Sequence, residues 1–427
     1  MTAQTQSEKF YQKKLQKKFS RKINLDLSRI KLALRKISLD PNIDISGKVV
    51  NILGEDGKNT VLQSLKSILR QDNKKVSTFT SPSITHPLDR IFLKNKFISL
   101  TKFKKYAEEI IRSRVKLTLF ECLTLIYLKS IQNLKDLQWN LIEVGAGMNR
   151  DSTNLFTEPY AQIVVNLNLQ HQDLTGARNI YDVCKINCGS LSHKTTIYIG
   201  KQEPKVLKIV KKILQKNPSK KIFYGKDFKI KKKANFYLYS DQKGILKLRA
   251  KQIHSEGLWA NIALGVKVCR DLNIDNKIIL KALPKVELLG RLQFINNESN
   301  LGKLLYPKED LLLDGCHSET SIINHIKFLK SIDKPKYAIW SLMKNRYPEK
   351  YVKHLKCFKK VIAIKVPNTP NACSSLVLKR IANKNGIKCI TAQNITSAIQ
   401  ALSSNKPKVI SIIGSLYTVG KVLNLGN

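Results

Sequence analysis

The chain lacks any run of about 18 uncharged apolar residues, the length that a membrane-spanning helix requires. We therefore expect no transmembrane segment, although 42% of the 427 residues are hydrophobic. The first 30 residues also lack an apolar core, so we interpret them as an ordinary N-terminal helix and not as a secretory signal. The length predicts two or three globular domains with sizeable cores.

Cysteine pairs of the CxxC type are absent. The eight cysteines are scattered, which argues against both a zinc knuckle and a disulfide framework. Cys184 and Cys188 are spaced to share one helix face, but no nearby residue completes a metal site with them. Reduced thiols in a cytoplasmic protein are the simplest expectation.

Acidic residues are scarce: 31 Asp and Glu stand against 76 Lys and Arg, giving a formal net charge of +45. Such an excess suits a nucleic acid or an anionic small substrate. Lysine is spread along the whole chain, however, and the stretches KIVKKILQKNPSKKIF and KDFKIKKKANF are typical of solvated helix faces and loops. We therefore expect no nucleic-acid partner, and nucleic-acid binding stays an alternative hypothesis.

The stretch VVNILGEDGKNTVLQSLKSIL, residues 49–69, predicts a buried strand, a glycine loop and an amphipathic helix. Gly54 and Gly57 allow backbone N–H groups to point inward, and a helix N-terminus favours an anion. Lys58 would meet the outer phosphates and Thr60 would hold Mg²⁺. In the common phosphate loop the hydroxyl residue follows the lysine directly, which is not so here. An ordinary strand-to-helix turn is therefore an equal alternative for this stretch.

Strands and helices alternate along the first part of the chain, which predicts a mostly parallel, doubly wound α/β sheet with ligands at the carboxyl ends of its strands. The predicted strands are 48–53, 76–80, 140–144, 161–166 and 196–200, and the predicted helices are 60–70, 103–113, 120–132 and 206–216. A further helix, LWANIALGVKVCRDL, is followed by LLGRLQFI, a connector. A second series of strands then begins: LLLDG, YAIWSL, KVIAIKV, IKCITA and VISIIGS.

Several polar residues are predicted to lie near these strand ends. Glu143 ends one strand, and a carboxylate beside a phosphate loop is what a Mg²⁺–nucleotide site needs, because Mg²⁺ prefers hard oxygen ligands. His171 would be a second metal ligand at the same edge. Arg291, Asp314 and His317 belong to the second series and would close over a nucleotide. Each residue by itself is equally compatible with a structural role.

Taken in chain order, these segments resemble the folylpolyglutamate synthase/dihydrofolate synthase family of the Mur ligase superfamily. GEDGKNT is similar to the family's GTNGKGS, which also sets its lysine two residues before the hydroxyl. TSPSITHPLDRI resembles SPHL followed by ERI, and EVGAGMNRDSTN resembles EVGLGGRxDATN. NLNLQHQDLTG, GRLQ, DGCHSE and GSLYTVG resemble further segments, so that the similarity runs over nearly the whole chain.

The resemblance implies a Mur ligase-like α/β fold. A large P-loop-type doubly wound ATPase domain would occupy residues 1–290, and a smaller Rossmann-like C-terminal domain would occupy residues 291–427. The implied activity is ATP-dependent, ADP-forming ligation of L-glutamate to a folate or dihydropteroate carboxylate through an acyl phosphate. ATP and Mg²⁺ are the implied cofactors, and the protein is expected to be monomeric.

The resemblance also implies roles for individual residues. Lys58, Glu143 and His171 would be catalytic, and Thr60, Glu143 and His171 would bind metal. ATP would contact Gly54, Glu55, Asp56, Gly57, Lys58, Asn59, Thr60, Arg291, Asp314 and His317, and the pterin substrate would contact Ser81, Pro82, Ser83 and Arg90.

The chain departs from the family pattern at several of these positions. Glu55, Asp56 and Asn59 replace Thr, Asn and Gly of the loop, Ser83 replaces a histidine, Gln170 replaces the aspartate before His171, Asn149 replaces an arginine and Ser318 replaces an asparagine. We expect each change to remove a polar contact. A family member with impaired catalysis that acts as a binding or regulatory protein is therefore the alternative hypothesis.

A further departure concerns the carbamoylated lysine with which the family completes its second metal shell. Aligning Gly189 with the family's glycine places Asn187 at the lysine position, and Lys185 falls two residues early. Two residues along a helix turn a side chain by about 200°. We therefore predict an incomplete second metal site.

Overall fold

The computed structural model describes residues 3–20, 24–170, 172–295, 298–367 and 369–426. The chain divides into two compact units. The first comprises Met1–Lys251 and Glu256–Glu287, and the second comprises Gln252–Ser255 and Leu288–Asn427. Among the helices described, none combines the length and the apolar character needed to span a bilayer.

The first unit contains β-strands and α-helices in alternation. Its strands are β1 (Lys48–Leu53), β2 (Val76–Phe79), β3 (Ile91–Leu93), β4 (Lys96–Phe97), β5 (Trp139–Glu143), β6 (Ala161–Val164), β7 (Thr196–Ile199), β8 (Lys221–Phe223), β9 (Phe228–Lys232), β10 (Tyr237–Asp241) and β11 (Gly244–Leu248). Its helices are α1 (Ala3–Phe10), α2 (Gln16–Lys18), α3 (Leu27–Lys36), α4 (Lys58–Gln71), α5 (Leu100–Arg112), α6 (Leu119–Gln132), α7 (Gln172–Thr175), α8 (Ile180–Cys188), α9 (Pro204–Ile213), α10 (Glu256–Asp271) and α11 (Asn276–Ala282).

Eight of these strands form one sheet in the order β4-β3-β2-β5-β1-β6-β7-β8. The strands from β2 to β8 in that order run parallel, and β3 and β4 are added antiparallel at one edge. The central strand β1 pairs with β5 on one side and β6 on the other. The predicted doubly wound α/β fold is confirmed, and the carboxyl ends of β5, β1 and β6 meet at one edge of the sheet.

Helix starts in this unit follow from local side-chain chemistry. Thr118 accepts a hydrogen bond from the N–H of Glu121, whose side chain accepts one from the N–H of Thr118, forming a capping box at α6. Ser99 caps α5 with its hydroxyl, which accepts from the N–H of Lys102. The apolar faces of α3 and α5 then pack against α6, which in turn packs on β2 and β3, and Ile30, Phe103 and Ile126 belong to one core cluster.

One small sheet was not predicted. Strands β9, β10 and β11 form a three-stranded antiparallel sheet, and β8 begins at Lys221. The interpretation of KIVKKILQKNPSKKIF and KDFKIKKKANF as helix faces and loops is therefore wrong where β8 and β9 lie. The lysines of β9 are exposed while Phe228 is buried, so a strand with one solvated face resembles a solvated loop in composition.

The second unit is a six-stranded sheet with helices. Its strands are β12 (Gln293–Phe294), β13 (Glu309–Asp314), β14 (Lys336–Trp340), β15 (Lys360–Ala363), β16 (Cys389–Thr391) and β17 (Lys408–Ile413), in the order β12-β13-β17-β14-β15-β16. Its helices are α12 (Glu319–Leu329), α13 (Pro348–Tyr351), α14 (Ser375–Lys384), α15 (Ile395–Gln400) and α16 (Leu416–Gly426). All pairs are parallel except β12 with β13, so the predicted connector LLGRLQFI contains an antiparallel edge strand.

Candidate nucleotide and metal site

The glycine loop of residues 54–57 connects the central strand β1 directly to α4. Gly54 and Gly57 have φ values of 114° and 109°, a region that favours glycine over residues with a Cβ. Gly57 occupies the N-cap position, and no side chain caps α4 there. The first backbone N–H groups of α4 therefore point at the end of β1 without a side-chain acceptor at the cap, which is the arrangement that binds phosphate in other proteins.

Lys58 is the first residue of α4, two residues earlier than the predicted helix start at Thr60. Its side chain is only 8% exposed, and its ammonium group donates a hydrogen bond of 2.6 Å to the carbonyl oxygen of Gly54. The lysine side chain therefore folds back onto the glycine loop, and its positive charge is held at the loop backbone. Thr60 is buried in the same first turn.

Glu143 is the last residue of β5 and lies opposite Ile52 in the pairing with β1. Its carboxylate is 4% exposed and accepts a hydrogen bond of 3.2 Å from the N–H of Ser81, which follows β2. A buried carboxylate at this edge and the Thr60 hydroxyl are hard oxygen donors, and this donor set fits Mg²⁺. The residues present are therefore compatible with the metal that the resemblance implies.

Asp56 is tied to the segment that follows β6. Its N–H donates to the carbonyl oxygen of Asn166 over 3.4 Å. Its Oδ2 accepts hydrogen bonds from Asn168 Nδ2 at 2.7 Å and from Gln170 Nε2 at 3.1 Å. The expectation that each departure from the family pattern removes a polar contact is wrong for Asp56 and Gln170, because these two substituted residues bond to each other.

The segment after β5 folds around Asp151, a residue that the sequence analysis did not single out. Asp151 accepts hydrogen bonds from the N–H groups of Ala146 and Thr153 and from the Thr153 hydroxyl, at 2.6–2.9 Å. Its burial raises the pKa of the carboxyl, and these hydrogen bonds oppose the shift. The order Asp-x-Thr is typical of an Asx turn, and this local signal could have identified Asp151 from the sequence. Asn149 and Arg150 are exposed in the same segment.

The predicted pterin-contacting segment is shaped by Asp89, a second residue that was missed. Asp89 Oδ2 accepts hydrogen bonds from the N–H groups of Ile84 and Thr85 at 2.9 and 2.7 Å. Arg90 is buried, and its guanidinium donates to the carbonyl oxygen of Thr80 over 3.5 Å. Ser81, Pro82 and Ser83 are half-buried, and Ser81 connects this segment to Glu143.

A third missed residue is Asn261, on the helix that was predicted only to close the domain. Its side-chain amide lies against Gly57, and a Cβ built on Gly57 would meet the Asn261 Nδ2 at 2.2 Å. Asn261 therefore lines the loop, and only glycine fits at position 57 for reasons of both conformation and space.

The other predicted ATP contacts belong to the second unit, and their role toward ATP stays a prediction. Asp314 ends β13, and its Oδ2 accepts a hydrogen bond of 2.9 Å from Nδ1 of the buried His325. His325 also bonds through Nε2 to the Ser411 hydroxyl at 3.2 Å. His317 Nδ1 bonds to the carbonyl oxygen of Gly315 at 2.7 Å. Asp314, Cys316 and His325 have ligand-type atoms within 4.8 Å of one another.

The predicted second metal ligand, His171, lies outside the described residues. Helix α8, which follows, places Lys185 on its exposed face and buries Asn187, which is 2% exposed. Asn187 Nδ2 donates to the carbonyl oxygen of Val183, one turn earlier on the same helix, at 3.0 Å. The two residues thus lie on different faces of α8, as a two-residue separation on a helix requires.

Comparison with known proteins gives related sequences and folds, while no family model matches the chain. The chain is 22% identical over 432 residues to a dihydrofolate synthetase of Saccharomyces cerevisiae, a match that covers 95% of this chain and 98% of the yeast protein. It is similar in structure to E. coli FolC in complex with DHPP and ADP, with a TM-score of 0.84, 19% identity and coverage of 99% and 97%.

A second solved structure with this fold is a bifunctional folylpolyglutamate synthase/dihydrofolate synthase with Mn, AMPPNP and L-glutamate bound. Its TM-score to this chain is 0.79 at 18% identity, and 95% of each chain is covered. At these identities the structural matches establish the two-unit Mur ligase-like fold.

Proposed function

We propose that the chain is a member of the folylpolyglutamate synthase/dihydrofolate synthase family and that it is an ATP-dependent, ADP-forming ligase that adds L-glutamate to the carboxylate of a folate or a dihydropteroate. The proposal rests on the edge of the first unit's large sheet at which the carboxyl ends of β5 and β1 meet. There the lysine-bearing glycine loop, the buried Glu143 and the Ser81 segment come together. A related structure binds DHPP and ADP, and another binds AMPPNP and L-glutamate.

The proposed reaction has two stages. The pterin-linked carboxylate attacks the γ-phosphate of ATP and gives an acyl phosphate and ADP. The amino group of L-glutamate then attacks the acyl carbon, and phosphate leaves from the tetrahedral intermediate. Phosphoryl transfer of this kind depends mainly on positioning and on charge neutralisation, which N–H groups, a cation and a buried site supply.

We assign the first stage to the loop and its neighbours. The N–H groups at the start of α4 would bind phosphate oxygens, and the Lys58 ammonium would exchange its bond to Gly54 for the γ-phosphate. Thr60 and Glu143 would hold Mg²⁺, which when bound neutralises phosphate charge as a Lewis acid. Ser81, Pro82, Ser83 and Arg90 would orient the pterin substrate. His171 stays our candidate for a second metal ligand.

We also propose that the chain has two domains. Residues 1–290 form the ATP-binding domain, and residues 291–427 form the C-terminal ligase domain. The six-stranded sheet of β12–β17, which is separate from the sheets of the first unit, supports a C-terminal domain with its own core. We further propose a cytoplasmic location, which the free thiols of all eight cysteines support, because disulfides are rare in reducing compartments.

The test is an ADP-release assay with the purified full-length chain, ATP, Mg²⁺ and L-glutamate, using dihydropteroate and tetrahydrofolate as separate acceptors. ADP release that requires both an acceptor and glutamate is the expected result. Mass spectrometry of the product should show one added glutamyl residue per ADP released. Nucleotide binding without glutamate-dependent ADP release for either acceptor would contradict the proposal.

One observation favours the alternative of an impaired family member that binds ligands without ligation. Lys185 is exposed and Asn187 is buried on α8, so on this helix a neutral asparagine stands at the position that the resemblance gives to the carbamoylated lysine. The same assay separates the two functions, since glutamate-dependent ADP release excludes the alternative. Salt-sensitive RNA binding at physiological ionic strength would instead favour a nucleic-acid role.

A further inference from the structure

Two of the departures from the family pattern occur at residues that touch each other. The pattern spells an amide (Asn) at position 56 in the loop and a carboxylate (Asp) at position 170, and this chain has Asp56 and Gln170. Gln170 Nε2 donates to Asp56 Oδ2 over 3.1 Å, although the two residues are 114 positions apart. In this chain, both substituted residues therefore take part in one amide–carboxylate contact, in which the residue types are the reverse of those in the family pattern.

The surrounding contacts hold Asp56 firmly. Asn168 donates a second amide hydrogen bond of 2.7 Å to the same Oδ2. Gln170 also donates to Asn168 Oδ1 at 2.8 Å, and Asn168 donates to Asn166 Oδ1 at 2.9 Å. The backbone of Asp56 forms a bridge with Asn166, the second residue after β6. The side-chain amides of Asn168 and Gln170 thus fix the orientation of the Asp56 carboxylate, which an exposed loop carboxylate without such partners would lack.

We propose that the carboxylate and the amide have exchanged places, so that Asp56 supplies the anionic group with which this site attracts the divalent cation of a nucleotide. Asp56 is then a positioning residue for the cation, and Asn168 and Gln170 orient it. This inference rests on the proposed function, because it assumes that nucleotide phosphates bind at the loop of residues 54–57.

The negative charge of Asp56 has two opposite effects on nucleotide binding. A carboxylate within a phosphate-binding loop repels a nucleotide without metal, because both groups are negative. The same carboxylate attracts a cation that accompanies the phosphates, directly or through a bound water molecule. Removing the charge should therefore weaken binding of the metal–nucleotide complex while leaving metal-free nucleotide binding equal or stronger. A loss of loop structure would weaken both.

The test uses Mn²⁺ as the metal and ADP as the nucleotide with the full-length chain. Mn²⁺ binding in the presence of ADP is followed by the paramagnetic signal of the free ion, and ADP binding in the presence of a chelator by calorimetry. We expect Asp56→Asn to weaken Mn²⁺ binding about 10–100-fold, the range for lost orienting partners of a metal. Unchanged Mn²⁺ binding, or an equal loss with and without metal, would overturn the proposal.

The exchange itself is tested by adding Gln170→Asp. In the variant D56N/Q170D the new amide at position 56 can donate to the new carboxylate at position 170, so the pair is restored with reversed partners. We expect most of the lost Mn²⁺ affinity to return. The matched control is E55Q with and without Q170D, since Glu55 is the neighbouring loop carboxylate and loses the same charge. Rescue of E55Q by Q170D, or failure to rescue D56N, would contradict the exchange.

A variant that leaves the charge in place covers the case in which D56N does not fold. N168A/Q170A keeps Asp56 and removes the two amide donors, so it should weaken Mn²⁺ binding in the same direction. Unchanged binding in this variant would overturn the orienting role. The binding measurements need no ligase activity. Absence of glutamate-dependent ADP release would therefore contradict the proposed function, whereas normal ligation with unaltered Mn²⁺ binding in D56N would contradict only this inference.

Discussion

At the scale of single residues, burial distinguishes Glu143 from the acidic residues of the loop. Glu143 is almost fully enclosed at the end of β5, whereas Glu55 and Asp56 are half-buried. A buried carboxylate is stable only with a cation or with hydrogen-bond donors nearby. The N–H of Ser81 is one such donor, and it connects Glu143 to the segment predicted to hold the acceptor substrate.

We predict that Glu143→Gln keeps the fold and removes most of the ligase rate. The side-chain carbonyl oxygen of the variant can still accept the Ser81 hydrogen bond, but a neutral amide is a much poorer ligand for Mg²⁺ than a carboxylate. ADP release and the thermal unfolding temperature of the two proteins provide the comparison. Turnover close to that of the unmodified protein would show that Glu143 does not hold the metal.

Lys66 on α4 gives a pH-dependent prediction. Burial lowers the pKa of its ammonium to about 8, with a smaller lowering from Arg70 and an opposing effect of Glu287. Its Nζ lies 4.9 Å from the centre of the Phe92 ring. Between about pH 8 and the pKa of about 10.4 that lysine has in an unfolded chain, the unfolded state binds more protons, so this group makes stability rise with pH.

Lys66→Met should therefore increase the free energy of unfolding near pH 7. It should also make that free energy rise less steeply with pH above about pH 8. Lys66→Arg, which stays charged over the whole range, is the matched control. Urea unfolding at pH 7 and at about pH 9.5, within the titration window just given, provides the comparison. Parallel pH dependences of the unmodified protein and the Met variant would contradict the prediction.

At the scale of secondary-structure elements, the orientation of helix α8 determines which of its side chains face the core and which face solvent. Its buried face carries Cys184, Asn187 and Cys188, and these thiols belong to a core cluster that also includes Val144 and Met148. Lys185 points to the exposed side. Presenting Lys185 at the buried face would require the helix to rotate by about 200°, which would expose that core.

We therefore predict that ligase activity depends little on bicarbonate and that Lys185→Ala has little effect. A carbamoylated lysine forms from CO₂, so an enzyme that used Lys185 in this way would be stimulated by bicarbonate and would lose that stimulation in the variant. Turnover of both proteins with and without added bicarbonate is the measurement. Stimulation that disappears in Lys185→Ala would restore Lys185 as the modified residue.

The contact between α4 and α10 fixes the position of α4, the helix that follows the glycine loop. A Cβ built on Gly265 of α10 would lie 2.2 Å from the Ser64 hydroxyl of α4, and that hydroxyl donates to the Val61 carbonyl oxygen. The two helices therefore approach closely at a glycine. Because α4 also begins with Lys58, any outward shift of α4 would displace the lysine as well.

We expect Gly265→Ala to lower the free energy of unfolding by about 1–3 kcal/mol, the usual effect of overpacking. The double variant S64A/G265A should recover part of this loss, because it removes the hydroxyl that the new methyl group meets. Urea unfolding of the two variants and of S64A tests the prediction. A Gly265→Ala variant as stable as the unmodified protein would show that the helices separate without penalty.

The sequence predicts elements better than it predicts contacts between them. β1 has the predicted bounds 48–53, because a short apolar run followed by glycines is a local signal. The strands β9–β11 were missed, because exposed lysines hide the alternation of β9 and β11, the strands on either side of β10. The bond between Asp56 and Gln170 was also missed. It exists only because β6 lies beside β1, and no local pattern specifies that neighbour.

At the scale of the whole molecule, the net charge of +45 is the dominant electrostatic feature. Some of the described ion pairs join exposed side chains, such as Lys14 with Glu108 and Lys75 with Asp136, and such pairs contribute little to stability. Others are buried, such as Lys408 with Glu309. The lysines in excess of the acidic residues repel one another, and this repulsion opposes the compact state.

We predict that added salt stabilises the protein. Raising the ionic strength from about 0.01 M to about 0.15 M shortens the Debye length from about 30 Å to about 8 Å, so lysines on different parts of the surface cease to repel one another. The thermal unfolding temperature measured across this range in NaCl should rise. A constant or falling unfolding temperature would show that repulsion between surface lysines is not a significant term.

The open sheets described above have a consequence for self-association. Edge strands expose backbone groups that can pair with another chain, and charged side chains are one means of preventing it. In the first unit lysines stand on the edge strands β4, β8, β9 and β11, at Lys96, Lys221, Lys229 and Lys247 among others, whereas the edge strands β12 and β16 of the second unit contain none. Two such edges that approach each other bring like charges together before any backbone hydrogen bond can form. At the edges of the first unit's sheets the lysines therefore act as a barrier to aggregation, and neutralising them by chemical acylation would remove that barrier even where the fold survives.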